Sequence, residues 1–214
     1  MPRSKDQAAR RKLLLDAAVR VINDQGPARM QMKDVADMAG MATGSVYYYY
    51  DNVEEILRHV RAMAFDRYYT ARANAVAGLS DAREKLRTMV DMGLPRPHDQ
   101  PLSLALYQVM VAKARDTDHA GMITDLCGEQ RRLYQEILDE GTAAGVFSPV
   151  LPTDSIAQNL ISLEDGYGLG LSTANHDYDY EQARRLVLEA AANWTQCPDL
   201  NQFPESSRSS ASTP

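Results

Sequence analysis

The segment that decides the fold spans residues 31–57 and reads QMKDVADMAGMATGSVYYYYDNVEEIL. Within it, Val35, Ala36 and Ala39 stand at helical spacing and are expected to pack inward. Gly40 is expected to end this helix, because glycine adopts a left-handed conformation at little cost. A second short helix follows. Two short helices joined by a glycine turn are typical of a helix-turn-helix DNA reader.

The second short helix carries four consecutive tyrosines at positions 47–50. One helix face can bury only one or two of four successive residues, so at least two rings are expected to point outward. Exposed hydroxyls and aromatic rings suit contacts with phosphate oxygens and base edges. The alternative is a packed helical hairpin with half-buried tyrosines, which the run of four disfavours. The residues expected to be displayed are Ser45, Tyr47, Tyr48 and Tyr49.

The composition of the 214-residue chain, 44% hydrophobic and 24% charged, is ordinary for a globular protein. Few stretches alternate apolar and polar residues as strands do, so an all-α fold is predicted. The net charge of −6 is unevenly distributed: residues 1–33 contain eight basic and three acidic side chains, whereas the rest contains fifteen basic and twenty-six acidic ones. A basic amino-terminal segment is typical of a protein that contacts the phosphates of nucleic acid at one end, although an incidental basic tail would give the same pattern.

The two cysteines, Cys127 and Cys197, lie far apart and match no metal-binding spacing, which indicates a reducing compartment. No apolar run is long enough to cross a membrane. No apolar stretch follows the basic amino terminus as it would in a signal peptide. We therefore expect a cytoplasmic protein that has no contact with a membrane.

Helix start and stop signals divide the chain into about nine helices. The predicted organisation is a helix-turn-helix domain at 1–51 and a helical ligand-binding and dimerisation domain at 52–197, with a connector helix at 52–77. The tail at 198–214, rich in Ser, Pro, Asn and Gln, is expected to be disordered. Outside the helix-turn-helix, helices are expected at about 8–25, 53–77, 81–93, 102–115, 119–144, 154–172 and 180–195.

A combination of short motifs in residues 31–57 resembles the TetR family of bacterial transcriptional repressors. The resemblance covers roughly the first 60 residues, and the combination is specific although each fragment alone is not. A weaker match at 163–169, LEDGYGL, resembles the penultimate helix of the choline-responsive repressors of that family. The matching elements are Val35-Ala36, Ala39-Gly40-Met41-Ala42, Gly44-Ser45-Val46-Tyr47, Tyr49-Tyr50, Asn52 and Glu54-Glu55-Ile56-Leu57.

The resemblance implies a repressor that binds a palindromic double-stranded operator as a homodimer, its reading helices entering successive major grooves. It also implies release of the DNA by a small-molecule effector that prefers a conformation fitting DNA poorly. Two positions depart from the family pattern: Gln31, where a helix-opening Thr is common, and Val53, where a phosphate-binding Lys is common. By position, the expected DNA contacts are Lys33, Thr43, Ser45, Tyr47, Tyr48 and Tyr49.

By the same resemblance, the last two helices are expected to form a four-helix interface with their copies in a second chain. Three glycines in the first of them, at 166, 168 and 170, lower its helix propensity, and either close helix approach or a kink would explain them. A nucleotide-binding loop is disfavoured because no strand precedes them and the G-x-G-x-x-G spacing fails. The apolar faces are marked by Ile156, Leu160, Leu163, Tyr167 and Leu171, and by Leu186, Val187, Ala190, Ala191 and Trp194.

The sensing half is expected to hold the effector among adaptable methionines and flat aromatic rings, although each such residue could equally be plain core. Glu164 lies on an apolar helix stripe, where a buried carboxylate must find a partner. The hypothesis is that Glu164 or Asp165 receives a cationic, amine-type or hydrogen-bonding ligand. An arginine across the interface is the alternative partner. The candidate ligand-binding residues are Met89, Tyr107, Met110, Met122, Leu126, Tyr134, Glu164, Asp165 and Tyr167.

An enzyme is the main rival class. The four histidines are scattered without metal-ligand spacing, and neither a Ser-His-Asp signature nor a phosphate loop is present, so no metal and no cofactor are expected. A purely structural helical protein would not need a basic head with outward tyrosines. The sequence therefore predicts a ligand-responsive transcriptional regulator, acting as a repressor and not as an enzyme.

Overall fold

The computed structural model describes the backbone of residues 2–112, 117–173 and 177–201, and the side chains of residues 7–112, 127–173 and 177–201. Within these ranges the fold is all-helical, as predicted, and contains no strand. The helices are α1 (Pro2–Gln25), α2 (Met32–Ala39), α3 (Thr43–Tyr47), α4 (Val53–Phe65), α5 (Ala71–Ala77), α6 (Ala82–Gly93), α7 (Gln100–Ala112), α8 (Thr117–Ala143), α9 (Thr153–Ser172) and α10 (Tyr180–Thr195).

One unbroken helical rod runs from α4 through a π-helical turn (Asp66–Thr70) into α5, and we call it the connector. Counting the connector once, the described residues form nine α-helical segments, in agreement with the prediction of about nine. The first helix differs from the prediction at its start, because it begins at Pro2 and not near Ala8. The polar residues before Ala8 continue the helix, since helical propensity does not require an apolar face.

The head of the molecule is a small core built from α1 to α4. Leu14, Ile22, Val35 and Ile56 are fully buried in it. Two residues of α7 join the same cluster: Ala105 and Val109 are also fully buried there. Consequently, α7 belongs structurally to the head along one of its faces.

The body core corrects our expectation for the last two helices. Ile156, Leu160 and Leu171 of α9 and Val187 and Ala191 of α10 are buried inside the chain itself. They pack against α6 and α8, because an amphipathic helix buries its apolar stripe against the neighbouring helices of the same chain. The exposed residues of α9 and α10 are Asp154, Gln158, Asn159, Ser162, Asp165, Gly166, Leu169, Glu181, Gln182, Arg185 and Asn193.

The tail also departs from the expectation at its first residues. Pro198–Asn201 forms a short 3₁₀ helix, and Leu200 is buried in the body core. The Arg87 Nε donates to the Leu200 carbonyl at 3.3 Å. One apolar side chain and one backbone bond therefore hold this stretch in place, while residues 202–214 lie outside the described residues.

No helix in the described part of the chain combines the length and the apolar character needed to cross a lipid bilayer.

Candidate DNA interface and effector cavity

The turn before α3 positions the tyrosine-bearing helix. Gly40 adopts a left-handed conformation (φ 66°), as predicted, and its N–H donates to the Asp37 carbonyl at 3.2 Å. The Met41 N–H donates to the Ala36 carbonyl at 2.9 Å, and the Met41 side chain packs on the head core. Because these bonds satisfy carbonyls at the end of α2, the direction of α3 is fixed.

Two residues one helical turn apart hold α3 against the head. Val46 is fully buried, and Tyr50 is only 1% exposed. The Tyr50 N–H donates to the Val46 carbonyl at 3.0 Å, so both side chains lie on the same face. Arg11 lies over the Tyr50 ring at 5.7 Å from its centroid, and the His59 ring stacks edge-on at 5.2 Å.

The opposite face of α3 carries the tyrosines that point outward. Tyr48 is 74% exposed and Tyr47 is 54% exposed, whereas Tyr49 is half-buried and meets the Tyr48 ring edge-on at 5.0 Å between centroids. Lys33 and Ser45 are exposed, and Thr43 is half-buried. All six residues predicted to contact DNA thus belong to the helix-turn-helix unit or its immediate end, and none of them is buried.

A cavity in the body lies between the connector and helices α6 to α9. It has a volume of about 50 Å³, enough for water or a very small group. Pockets for drug-sized ligands are larger, about 300–1,000 Å³, so a bulkier ligand would have to displace part of the wall. The lining residues are Tyr68, Gly93, Pro95, Ser103, Leu106, Tyr107, Met110, Cys127, Gln130, Ile161, Glu164 and Asp165.

Four of the predicted ligand-binding residues line this cavity: Tyr107, Met110, Glu164 and Asp165. The predictions for Met122 and Leu126 lie outside the described residues, because the side chains of that part of α8 are not described.

Three of the predicted ligand-binding residues do not line the cavity. Met89 and Tyr134 are fully buried in the body core, and Tyr167 packs edge-on against Tyr178 at 5.2 Å between ring centroids. Their spacing alone could not distinguish a cavity wall from core, because both require apolar residues at helical intervals.

The partner of Glu164 is Arg72, which lies on the connector. Arg72 Nη2 is 3.0 Å and 3.1 Å from the two carboxylate oxygens of Glu164, and both side chains are almost fully buried. The same nitrogen donates to the Tyr134 hydroxyl at 3.0 Å and to the Met89 carbonyl at 2.8 Å. Of the two alternatives open from the sequence, the arginine is present, but it belongs to the same chain.

The Arg72–Glu164 ion pair joins four helical elements. Arg72 lies on the connector, Glu164 on α9, Met89 on α6 and Tyr134 on α8. The Tyr134 hydroxyl also donates a hydrogen bond to Glu164. Burial raises the pKa of Glu164 to about 7, against the opposing effects of Arg72 and of the Tyr134 hydrogen bond. Gly93 makes room for this carboxylate, since a Cβ there would overlap it.

Asp165 is the second carboxylate at the cavity. Its backbone carbonyl accepts a hydrogen bond from the Tyr107 hydroxyl at 3.1 Å, which places it at the α7 wall. The surrounding protein raises the pKa of Asp165 to about 6, with Arg72 opposing the shift. The side chain still reaches solvent at the cavity, so it is available to a ligand.

Sequence reasoning missed two residues of the site. Tyr68 reads as an ordinary apolar position of the connector, and Arg72 reads as one of many surface charges on a long helix. Neither position carries a local signal, because only tertiary packing brings Tyr68 to the cavity and Arg72 to Glu164, which is 92 positions away.

Two family models match this chain. The model described as bacterial regulatory proteins, tetR family, matches residues 14–60, which contain the helix-turn-helix. The model described as tetracyclin repressor-like, C-terminal domain, matches residues 93–184, which contain most of the cavity wall.

Individual relatives are regulators of the same kind. The transcriptional repressor KstR2 of Mycolicibacterium smegmatis is 29% identical over 153 residues, which cover 70% of this chain and 73% of that protein. The regulator BetI of Agrobacterium fabrum is 26% identical over 221 residues, which cover 99% of this chain and 98% of that protein.

Solved structures share the fold at lower identity. A transcriptional regulator of Saccharomonospora viridis in complex with choline superposes with a TM-score of 0.74, at 20% identity, over 85% of this chain and 95% of that one. FadR of Bacillus subtilis in complex with stearoyl-CoA gives a TM-score of 0.70, at 19% identity, over 86% and 97%. With both family models matched in the expected order and the helix-turn-helix in place, the chain belongs to the TetR family of bacterial transcriptional regulators.

Proposed function

We propose that this chain is a cytoplasmic transcriptional repressor, and not an enzyme, that binds a palindromic operator as a homodimer. A small cationic molecule in the body cavity is the effector that releases it from DNA. In this proposal residues 1–51 form the DNA-binding head and residues 52–197 form the sensing and dimerisation body, with residues 52–77 connecting them.

The observation that carries the proposal is the double role of α7. Its residues Ala105 and Val109 are buried in the core of the head, whereas Tyr107 and Met110 line the cavity. A ligand too large for about 50 Å³ must move a wall, and movement of α7 would disturb the head core. A ligand that prefers the displaced state would then weaken DNA binding by linkage.

Two polar contacts strengthen this connection. Arg67 of the connector pairs with Asp99 just before α7, Nη2 to Oδ2 at 2.7 Å. Asn23 of α1 donates from its side-chain amide to the Pro101 carbonyl at 2.9 Å. The start of α7 is therefore bonded to the two helices that carry the reading unit, which supports the transmission of a displacement.

The DNA-binding part of the proposal rests on the outward face of α3. Ser45 and Tyr47 offer hydroxyls on α3, Tyr48 offers one at the C-cap of that helix, and Lys33 offers a positive charge at the start of α2. Hydroxyls and lysines are suitable donors to phosphate oxygens. The six predicted residues remain our proposal for the DNA contacts, with Thr43 and Tyr49 at the edge of the surface.

The open faces of α9 and α10 are our proposal for the dimer interface. Asn159, Ser162, Gly166 and Leu169 follow each other at helical spacing and are exposed, and Leu169 is 46% exposed. Small residues at 162 and 166 would allow a second copy to approach closely, and Leu169 would provide apolar area to bury.

A cationic effector is favoured by the charge of the cavity. Glu164 and Asp165 both line it. One structural neighbour was solved with choline, which is a cation. The stearoyl-CoA of another neighbour carries several negative charges, which carboxylates at the wall would repel.

Binding of the full chain to a labelled fragment of its own upstream DNA tests the proposal. Fluorescence anisotropy at several salt concentrations should give an affinity that falls linearly on a log–log scale as phosphate contacts are lost. Small amines should then release the complex, whereas carboxylic acids of the same size should not. Equal affinity for random DNA of the same length would contradict the proposal.

A further inference from the structure

The cavity wall holds three charged groups within the described residues: the carboxylates of Glu164 and Asp165, and the guanidinium of Arg72, which reaches Glu164 from behind the wall. Because Glu164 and Asp165 are adjacent in α9, a ligand in the cavity meets both carboxylates at the same wall. The net charge that a ligand should carry depends on how many of these carboxylates lack a positively charged partner in the protein.

Arg72 compensates Glu164 permanently. Its Nη2 contacts both carboxylate oxygens and also reaches the Tyr134 hydroxyl and the Met89 carbonyl, and its side chain is buried. Removing one member of a buried pair leaves an uncompensated charge and is strongly destabilising. A ligand therefore cannot displace Arg72 without a large loss of free energy. The negative charge of Glu164 is consequently neutralised by Arg72 and does not attract a cationic ligand.

Asp165 has no such partner. Among the residues whose side chains are described, none forms an ion pair or a hydrogen bond with its carboxylate, and only the distant field of Arg72 favours its charge. When both carboxylates are ionised, above the raised pKa values of Glu164 and Asp165, two carboxylates and one guanidinium leave a single net negative charge at this wall.

A second group in the same cavity lacks a partner. The Tyr68 side chain is 8% exposed, and its hydroxyl lies buried without a hydrogen bond. The Ser103 hydroxyl lies near enough to lower the pKa of Tyr68, but the two hydroxyls do not meet the geometry of a hydrogen bond, and Ser103 accepts from Ser172 Oγ at 2.8 Å. A buried hydroxyl left unpaired costs free energy that a ligand can recover by bonding to it.

We propose that the cavity selects a ligand with one positive charge, which pairs with Asp165, and a hydrogen-bonding group, which reaches Tyr68. Arg72 is the positioning residue that sets this preference, because its guanidinium already pairs with Glu164. A second positive charge on the ligand would therefore find no free carboxylate. The inference rests on the proposed function, because it takes this cavity as the effector site.

Calorimetry on the DNA-free full chain tests this, with two probes of equal length: 4-aminobutan-1-ol, which has one charge and one hydroxyl, and 1,4-diaminobutane, which has two charges. The wild type should bind the amino alcohol at least about tenfold more tightly. Asp165→Asn should abolish this binding, whereas Glu136→Gln, an exposed carboxylate on α8, should leave it unchanged. Tyr68→Phe should weaken it by about tenfold, and Tyr69→Phe should not.

Arg72→Gln provides the gain-of-function test when it is measured at a pH well above 7. Loss of Arg72 raises the pKa of Glu164 further, and only the ionised carboxylate should favour the diamine over the amino alcohol. Should this variant fail to fold, the Asp165→Asn and Tyr68→Phe results decide alone. Equal or tighter binding of the diamine by the wild type would overturn the inference, as would unchanged binding by Asp165→Asn. A chain that binds operator but neither amine refutes the inference and leaves DNA binding intact; one that binds the amino alcohol but no operator refutes only the proposed function.

Discussion

Arg72 and Glu164 form a buried ion pair that attaches the connector to α9, with Nη2 3.0 Å and 3.1 Å from the two carboxylate oxygens. Arg72 lies two residues beyond the π-helical turn at Asp66–Thr70, where the rod leaves regular α-helical geometry. π-Helical turns occur often at functional sites. The connector is therefore fixed to the body at its far part, while its near part belongs to the core of the head.

Glu164→Gln should destabilise the protein markedly, since it keeps the shape of the side chain but leaves the Arg72 guanidinium buried without a counter-charge. We expect a loss of about 3–5 kcal/mol in the free energy of unfolding. Urea unfolding followed by circular dichroism measures it. The exposed carboxylate of Glu136 provides the control, because Glu136→Gln should cost almost nothing. A loss for Glu164→Gln of about 0.5 kcal/mol or less, typical of surface changes, would show that the pair is not structural.

Tyr48 and Tyr50 should respond in opposite ways to replacement by alanine. Tyr48 is 74% exposed, so Tyr48→Ala should weaken operator binding by about tenfold and leave stability almost unchanged. Tyr50 is buried, so Tyr50→Ala should cost about 3–5 kcal/mol of stability by opening a cavity in the head. Anisotropy and thermal unfolding of both variants separate the two roles. If Tyr48→Ala bound DNA normally, the proposed reading face would have to be abandoned.

The fold and the exposure of the tyrosines at the end of α3 were largely predictable from local sequence, whereas the lining of the body cavity was predictable only in part. Val46 and Tyr50 stand four residues apart, and this spacing alone places the intervening tyrosines at the surface. The role of Arg72 could not be predicted, because its partner lies 92 residues away and only tertiary packing brings them together. Tyr167 has the right residue type for a ligand contact, but its ring packs against Tyr178 outside the cavity wall.

Leu169→Arg should disrupt the proposed dimer. The side chain is 46% exposed on the open face of α9, and a charge there would remain uncompensated in a symmetric interface, where it meets or lies near its own copy. Sedimentation velocity should show a shift from dimer to monomer, together with weaker operator binding. Leu13→Arg is a matched control, since Leu13 is 41% exposed on α1. Dissociation by both variants, or by neither, would argue against this face as the interface.

The stability of Asp165→Asn relative to the wild type should depend on pH. Desolvation by the surrounding protein raises the pKa of Asp165 from 3.8 to about 6, although the residue is exposed to solvent, and Arg72 opposes the shift. Glu164, Tyr107 and Cys127 also lie near. The folded wild type thus holds this proton more tightly than the unfolded chain, so its stability falls as the pH rises through this window. Asp165→Asn lacks the group, and it also loses the Asp165 charge that helps to raise the pKa of Glu164, which changes the difference in the same direction.

Urea unfolding of the two proteins across that pH window gives the difference in unfolding free energy. The difference should change in favour of Asp165→Asn with rising pH and level off above the pKa of the folded state. Parallel stability curves would mean that Asp165 titrates normally and that the cavity does not desolvate its carboxylate.

The most direct test of the account is a footprint of the full chain on its own upstream DNA. Two outward α3 helices on one dimer should protect two inverted half-sites with centres about one helical turn, 10–10.5 base pairs, or a small multiple of it apart. A sedimentation-defined dimer that protects this pattern, and loses it with Tyr48→Ala, is the predicted result. Protection of a single half-site by a monomer, or no protection at all, would contradict it.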